Sequence, residues 1–341
     1  MFNKELNNIA KQMMTSGKGI LASDESTNSA NKTLSKNDIE PIEENRRRYR
    51  ELFIGTKGIG KYLNGIILFD ETIRQRDSEG KPFREILKEE GILIGIKVDR
   101  GTVDLPGFPG EKYTTGLDNL GKRLKEYYDM GARFAKWRSV IKIGTDLPSQ
   151  EVLDVNAQGL ALYASTCQAE GIVPIIEPEV LLDGNHSMDA AYEVTAKTLK
   201  TVFKALEKYK VDLKGVILKT SMVLPGKDSS EEKLDEEVAK ATVKCLKEAV
   251  PNDIPGVVFL SGGQSAEDAT HHLNEIAKLE PLPWEITFSF LRAIEGPPTE
   301  VWAGKDENVK KARVLFEQKL IDDTQAELGQ LEEEIQLKAE A

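Results

Sequence analysis

Two cysteines in 341 residues cannot build a disulfide framework. Cys167 and Cys245 belong to no CxxC pair. Reduced thiols in a cytoplasm-like compartment are expected, or in a plastid if a transit peptide has been removed. Histidine is as scarce: His186, His271 and His272 are the only three, and the adjacent pair cannot share one face of a helix. A three-histidine zinc centre is therefore not expected, nor any other metal or cofactor. No apolar run is long enough to span a bilayer, so no membrane partner is expected. The opening MFNKELNNIAKQMM lacks the continuous apolar core of a signal peptide. Its Phe2, Leu6, Ile9 and Met13 instead fall at helical spacing and predict an amphipathic helix. Basic residues are the minority, 46 against 57 acidic, for a net charge of −11. That argues against nucleic acid as the main partner, but not against a small anion in a locally basic pocket. There is no repeat of fixed period and no GxGxxG turn after the first apolar run.

What is present has the balance of a globular chain, with 40% hydrophobic and 30% charged residues. Short apolar runs lie near residues 19–22, 65–69, 93–98, 134–140, 173–176, 216–218, 257–260 and 287–290. They are apolar or β-branched throughout, as strands buried on both faces should be. Helical patterns separate them. Leu117, Leu120, Leu124 and Tyr127 share a face, as do Leu153, Leu160, Ala164 and Cys167, and then Leu234, Val238, Ala241 and Cys245. Ser229 and Glu232 stand at capping-box spacing before the last of these. Strand and helix alternating eight times predict an α/β fold, a (β/α)8 TIM barrel with an N-terminal helix and a C-terminal helical tail. Residues 1–341 are read as a single domain, with an acidic helical appendage from about residue 308 onward.

Active sites of such barrels form at the C-terminal ends of the strands. The runs here end in or just before Asp24, Lys97 and Asp99, Lys136 and Arg138, Glu177 and Glu179, Lys219, Ser261 and Arg292. At one strand, a charged end is more often a residue meeting water. Seven strands that end in both charge signs, with a glycine-rich turn, predict a polar pocket above a dry core. A buried amine beside another cation is a nucleophile for ketones, and Lys136 and Lys219 both qualify. Glu177 is a candidate proton shuttle for iminium formation, and Asp24 a candidate base for cleaving the adjacent carbon–carbon bond. The SGGQS turn from Ser261 would offer backbone N–H groups to a phosphate.

GKGILASDES, EENRR, FAKWR, IVPIIEPEV, LKTSMV, FLSGGQS and TFSFLRA occur in this order between about Gly17 and Trp302. The set resembles the class I, Schiff-base-forming fructose-1,6-bisphosphate aldolases. The resemblance implies a carbon–carbon lyase of glycolysis and gluconeogenesis acting on a phosphorylated sugar, and a homotetramer. It implies that Lys219 forms the Schiff base, that Glu177 shuttles protons with Glu179 as its partner, and that Asp24 is a catalytic carboxylate. Lys136 would favour the neutral amine of Lys219 and bind substrate hydroxyls, with Arg138 beside it. Ser261, Gly262, Gly263, Ser289 and Arg292 fall on positions that hold the phosphate of the dihydroxyacetone phosphate half. Lys97, Ser26 and Ser29 fall near the other phosphate.

The chain departs from the family pattern in three places. Thr33 stands where much of the family has a phosphate-gripping arginine. Leu291 replaces a small residue before Arg292. The chain ends in Ala341 after LEEEIQLKAE, where familiar members end in a tyrosine that aids proton exchange. The first and last of these keep open the same chemistry on sedoheptulose 1,7-bisphosphate or fructose 1-phosphate. The long acidic tail also admits a non-catalytic scaffold.

Overall fold

A computed structural model describes residues 2–279 and 281–331. Its strands are β1 (Gly19–Ser23), β2 (Leu63–Leu68), β3 (Leu93–Lys97), β4 (Thr102–Asp104), β5 (Lys112–Thr114), β6 (Ala132–Ile141), β7 (Val173–Val180), β8 (Ile217–Thr220), β9 (Gly256–Phe259) and β10 (Glu285–Phe288). Its longer helices are α1 (Phe2–Met13), α2 (Thr27–Lys36), α3 (Glu43–Ile54), α4 (Asp70–Arg74), α5 (Phe83–Glu89), α6 (Leu120–Asp129), α7 (Gln150–Ala169), α8 (Met188–Lys208), α9 (Asp235–Ala249), α10 (Ala266–Ala277), α11 (Arg292–Trp302) and α12 (Val309–Glu327).

Eight strands pair in parallel in the order β1-β2-β3-β6-β7-β8-β9-β10. The first and last meet where Ala22 N–H donates to Phe290 O at 3.0 Å, and Thr287 Oγ1 donates to Lys18 O at 3.1 Å. These are the eight strands read from the sequence. Their helices cover the outer face. On β6 the outward Trp137 stacks on Tyr163 of α7, with ring centroids 5.4 Å apart. The inward series on that strand is Phe134, Lys136 and Arg138, because strand side chains alternate.

The same alternation sorts the barrel interior into layers. Ile20, Ala22, Ile67, Phe134, Ile175, Ile217 and Val258 form a buried apolar cluster. Two residues further along their strands come Asp24, Lys136, Glu177 and Lys219. Phe134 occupies the middle of the lower layer because Gly65 and Gly95 yield to it. A Cβ on Gly95 would stand 2.1 Å from its ring. From below, α1 closes the barrel with Leu6, Ala10 and Met13, all buried in this cluster. Met14 reaches Gly256, where a Cβ would meet it at 2.3 Å. Ile9 is partly buried against the same cluster, and the side chain of Phe2 lies outside what is described.

Two details differ from the sequence reading. No Ser229 capping box opens α9. That helix starts at Asp235 behind Leu234, which makes no side-chain cap. Ser229 Oγ instead accepts from Glu231 N–H within the preceding turn. Asp235, Glu236 and Glu237 complement the positive helix end without a cap. The hairpin β4–β5 also went unread, since three-residue strands are too short to show an alternation. It braces β6 through Thr114 Oγ1, which donates to Arg138 O at 2.8 Å. The helix α12 buries Ala312, Phe316, Leu320 and Ala326 in the main core. The acidic residues 332–341 lie outside the described residues.

Candidate active site

The charged layer is a chain of alternating signs. Lys136 Nζ lies 2.6 Å from Asp24 Oδ2 and 3.1 Å from Glu177 Oε2. Lys219 Nζ lies 3.2 Å from Glu177 Oε1. The four residues are 3–5% exposed, so these are interactions in a dry interior rather than solvated surface pairs. Asp24 directly follows β1, the other three come from β6, β7 and β8, and pairing sets the heights of those strands. Arg138 is in register with Glu177, and Lys97 with Lys136. Glu177 Oε2, despite its nearness to Lys136, accepts no hydrogen bond among the described residues.

Burial pushes the Glu177 carboxyl up. Lys136, then Lys219 and Arg138, overcome it and hold the group below the ordinary carboxylate range. Asp24 follows the same balance, with burial opposed by Lys136, Lys219 and Lys97 and its acidity raised. Lys136 loses stability to burial but gains more from Asp24, Glu177 and Asp99, and so is held firmly as a cation. The resting site therefore holds two carboxylates about one fixed ammonium, with Lys219 at the open end of the chain.

Glu179 sits one step further out on β7 and pairs with Arg138 Nε. Lys97 pairs with Asp99, and also donates to Asp99 O at 3.0 Å. Asp99 in turn accepts from Arg138 N–H at 3.4 Å. Lys97 therefore ends on its own strand's carboxylate rather than free in the rim. Ser261, Gly262 and Gly263 form the turn between β9 and α10, where Gln264 N–H donates to Ser261 O at 2.9 Å. Gly262 and Gly263 have φ of 51° and 94°, values that suit glycine. Ser289 follows β10 and is 1% exposed, and its Oγ has no partner among the described residues. Arg292 is the exposed first residue of α11, and Leu291 is its N-cap. The loops after the neighbouring strands β9 and β10 therefore carry a buried hydroxyl, two glycines and an exposed guanidinium.

On the other side, Ser26 caps α2, accepting from Ser29 N–H at 3.3 Å, and the two hydroxyls lie 3.1 Å apart. Thr33 Oγ1 donates to Glu25 Oε1 at 2.7 Å, turned toward the protein. The EENRR segment contributes packing. Arg46 and Arg50 of α3 both pair with Glu71 at 2.7 Å, tying α3 to α4. His186 lies in the loop after β7, and its Nδ1 is buried with no partner among the described residues. His272 is buried on α10 while His271 is exposed, as their adjacency requires. Glu25, Tyr49 and Glu295 form a polar cluster behind Asp24 that the sequence reading missed. Buried polar residues spaced this far apart in sequence give no local signal.

The family model "Fructose-bisphosphate aldolase class-I" matches residues 5–341. A probable fructose-bisphosphate aldolase class 1 of Xylella fastidiosa is 50% identical over 316 residues, covering 92% of this chain and 95% of that protein. The cytosolic fructose-bisphosphate aldolase 5 of Arabidopsis thaliana is 50% identical over 326 residues, covering 95% of this chain and 91% of the relative. A fructose-bisphosphate aldolase of Plasmodium falciparum, solved with TRAP and a small-molecule inhibitor, superposes with a TM-score of 0.96 at 45% identity, covering 97% of this chain and 96% of that one. With a barrel of this topology and two lysines bridged by a buried glutamate, the chain belongs to the class I fructose-bisphosphate aldolase family.

Proposed function

We propose that the chain cleaves fructose 1,6-bisphosphate reversibly to dihydroxyacetone phosphate and glyceraldehyde 3-phosphate through a Schiff base on Lys219. The observation that carries this is Glu177, which touches Lys219 with one oxygen and Lys136 with the other. Lys219 gives one proton to the Glu177 carboxylate beside it and attacks the C2 ketone as the free amine, and the second proton its nitrogen sheds passes to the former carbonyl oxygen as the carbinolamine forms. The former carbonyl oxygen leaves as water, protonated from Glu177. Burial favours the protonated form of Glu177, and Lys136 first and Lys219 next oppose it, so moving the Lys219 proton onto Glu177 removes one of the cations that keep it ionised. Asp24 then takes the proton of the C4 hydroxyl. The C3–C4 bond breaks, and its electron pair moves toward the iminium to form the enamine. Lys136, fixed as a cation, holds the oxygens that carry developing charge.

In this reading Ser261, Gly262, Gly263, Ser289 and Arg292 take the phosphate of the dihydroxyacetone half. Lys97, Ser26, Ser29 and Thr33 line the side of the second phosphate, with Arg138 and Glu179 between. The engagement of Thr33 with Glu25 favours weaker grip there, so kcat/KM for fructose 1-phosphate should fall less below that for the bisphosphate than an arginine at this position would allow. The whole chain acts as one barrel domain and assembles as a homotetramer in the cytoplasm or, after removal of a transit peptide, in a plastid. Sedimentation velocity at micromolar concentration tests the assembly, and a monomer refutes it.

The chemistry is tested by trapping. The protein is incubated with dihydroxyacetone phosphate, reduced with borohydride and digested, with EDTA present in a parallel sample. A mass adduct on the Lys219 peptide, unaffected by EDTA, is expected. An adduct on Lys136 exchanges the two lysine roles, and no adduct from folded protein removes the proposal.

A further inference from the structure

Behind Asp24 lies a row of three groups that the chemistry above does not use. Tyr49 of α3 points its phenol between two carboxyls. Its oxygen is 3.0 Å from Glu25 Oε2 and 3.0 Å from Glu295 Oε2. A phenol carries one hydrogen and can donate one bond. Two close oxygen contacts therefore need a second hydrogen, and the only groups that can supply it are the two carboxyls. One of them is a neutral acid.

The surroundings decide which one. Glu25 is partly exposed and also accepts from Thr33 Oγ1. Glu295 is 1% exposed, in the first turn of α11, and pairs with no cation among the described residues. Its Oε1 is buried and accepts no hydrogen bond among the described residues. The Ser23 hydroxyl lies beside it and favours its charged form, but outside hydrogen-bond geometry. A bare carboxylate in that position would be left without solvation.

The ionisable groups acting on Glu295 from β1 and its exit are Glu25 and Asp24, both negative, and from α3 the phenol of Tyr49. Arg50, next on α3, spends its guanidinium on Glu71 and on Glu25 O. The helix α12 turns Ala312, Phe316 and Leu320 inward, and its buried Asp323 is engaged by Thr270 of α10. Burial first, and then Glu25, push the Glu295 carboxyl up to about 8.

We propose that Glu295 is a neutral carboxylic acid that donates to Tyr49, so that Tyr49 donates to Glu25 and the segment carrying Asp24, Ser26 and Ser29 is held in place. Glu295 is a positioning residue: it touches no reacting atom. Its proton lets α11, which begins at Arg292, and α2, which begins behind Ser26, be joined by one hydrogen-bonded row from Glu295 through Tyr49 and Glu25 to Thr33. The two ends of the row lie beside the two groups of residues assigned above to the substrate's two phosphates. The link to substrate rests on that assignment. The protonation and the ordering of the segment do not.

Loss of the Glu295 proton puts two carboxylates on one phenol. Tyr49 can then satisfy only one, and the other is driven away. Above about pH 8 the segment 25–33 should loosen, and KM for the sugar bisphosphate should rise severalfold while kcat changes little, because Asp24 stays held by Lys136 at 2.6 Å. Glu295→Gln keeps a neutral donor in the same place. It should retain near-normal kcat at pH 7 and lose the alkaline rise in KM.

Three readouts on the full-length protein decide this. The infrared difference between wild type and Glu295→Gln at pH 7 should show the carbonyl stretch of one protonated buried carboxyl, distinct from Asp323, which is common to both, and that difference band should vanish as pH is raised through about 8. Amide hydrogen exchange of peptides spanning residues 24–36 should be faster in the wild type than in Glu295→Gln at pH 9, and equal at pH 7. Absence of the infrared band, or equal exchange at both pH values, overturns the inference, as does an alkaline rise in KM that persists in Glu295→Gln. A wild type that shows the band and the exchange difference but cleaves no sugar phosphate leaves the inference standing and removes the functional proposal instead.

Discussion

Replacing Lys136 by methionine should cost more stability than any other single change at the site, and the cost should depend on pH in a defined direction. The lysine stands between two buried carboxylates, 2.6 Å from Asp24 and 3.1 Å from Glu177. Methionine has a similar length and no charge, so packing is largely kept. Removing one partner of a buried ion pair costs about 3–5 kcal/mol, because the remaining charge is left without compensation. Here two charges lose their main partner, which puts the expected cost at neutral pH in the upper part of that range. In the wild type both carboxyls are held below their usual values. Their stabilisation is therefore complete above the unfolded values near ~4 and is lost only as pH falls through the still lower folded values. In the variant, burial is opposed only by Lys219, with Lys97 for Asp24 and Arg138 for Glu177, and both carboxyls should rise. The penalty then grows from the unfolded values upward and is smaller in acid. Urea unfolding followed by circular dichroism, at about pH 7.5 and about pH 5, measures this, with equal m-values as the check that only the folded state changed. A cost below ~1 kcal/mol, or the same cost at both pH values, would refute the picture of a buried four-group ion chain.

Lys219→Met should still fold, because Glu177 keeps its Lys136 contact, and should turn over no substrate, and steady-state assay of correctly folded protein checks it. Retention of near-normal activity would remove Lys219 as nucleophile. Gly95→Ala should lose at least about 2 kcal/mol by urea unfolding, since the new methyl would stand 2.1 Å from the Phe134 ring and the interior around that ring has no slack. The same change with Phe134→Leu should recover part of that. Asp323, buried on α12 against Thr270 of α10, has its carboxyl pushed up to about 7 by burial. Its folded state therefore binds a proton that the unfolded chain has released, and the protein loses stability as pH rises from about 4 to about 7. Asp323→Asn should flatten that loss by on the order of 2 kcal/mol, and parallel urea titrations across this range give the answer.

The strands were legible because they are buried on both faces, so unbroken apolar runs such as IIL and VVF stand out against the helical pattern around them. The charged layer was legible for the same reason reversed. A lysine or glutamate that closes an apolar run has nowhere to go but the mouth of a barrel. The direction of that charge along the strand follows from alternation, which correctly aligned Lys136 with Arg138 and Glu177 with Glu179. What alternation cannot give is which side chains meet across the barrel. That Glu177 touches both lysines, and that Lys97 turns back onto Asp99, depends on the register between strands, which no single run encodes. The choice between Lys136 and Lys219 likewise came from family resemblance and not from spacing. The Ser229 cap failed because an acidic first turn can start a helix unaided. The row from Thr33 to Glu295 spans more than 260 positions, and only the closing of the barrel brings its ends together.

The seal made by α1, Met14 and the Phe134 ring has a consequence for traffic. A barrel open at both ends would let water percolate along its axis. This one is a cup. Everything that reaches Lys219, whether sugar, water or proton, comes and goes through the rim where the phosphates would sit. In the mechanism proposed above, a bound substrate would cork its own vessel, and the water released on forming the iminium would share that one mouth with it.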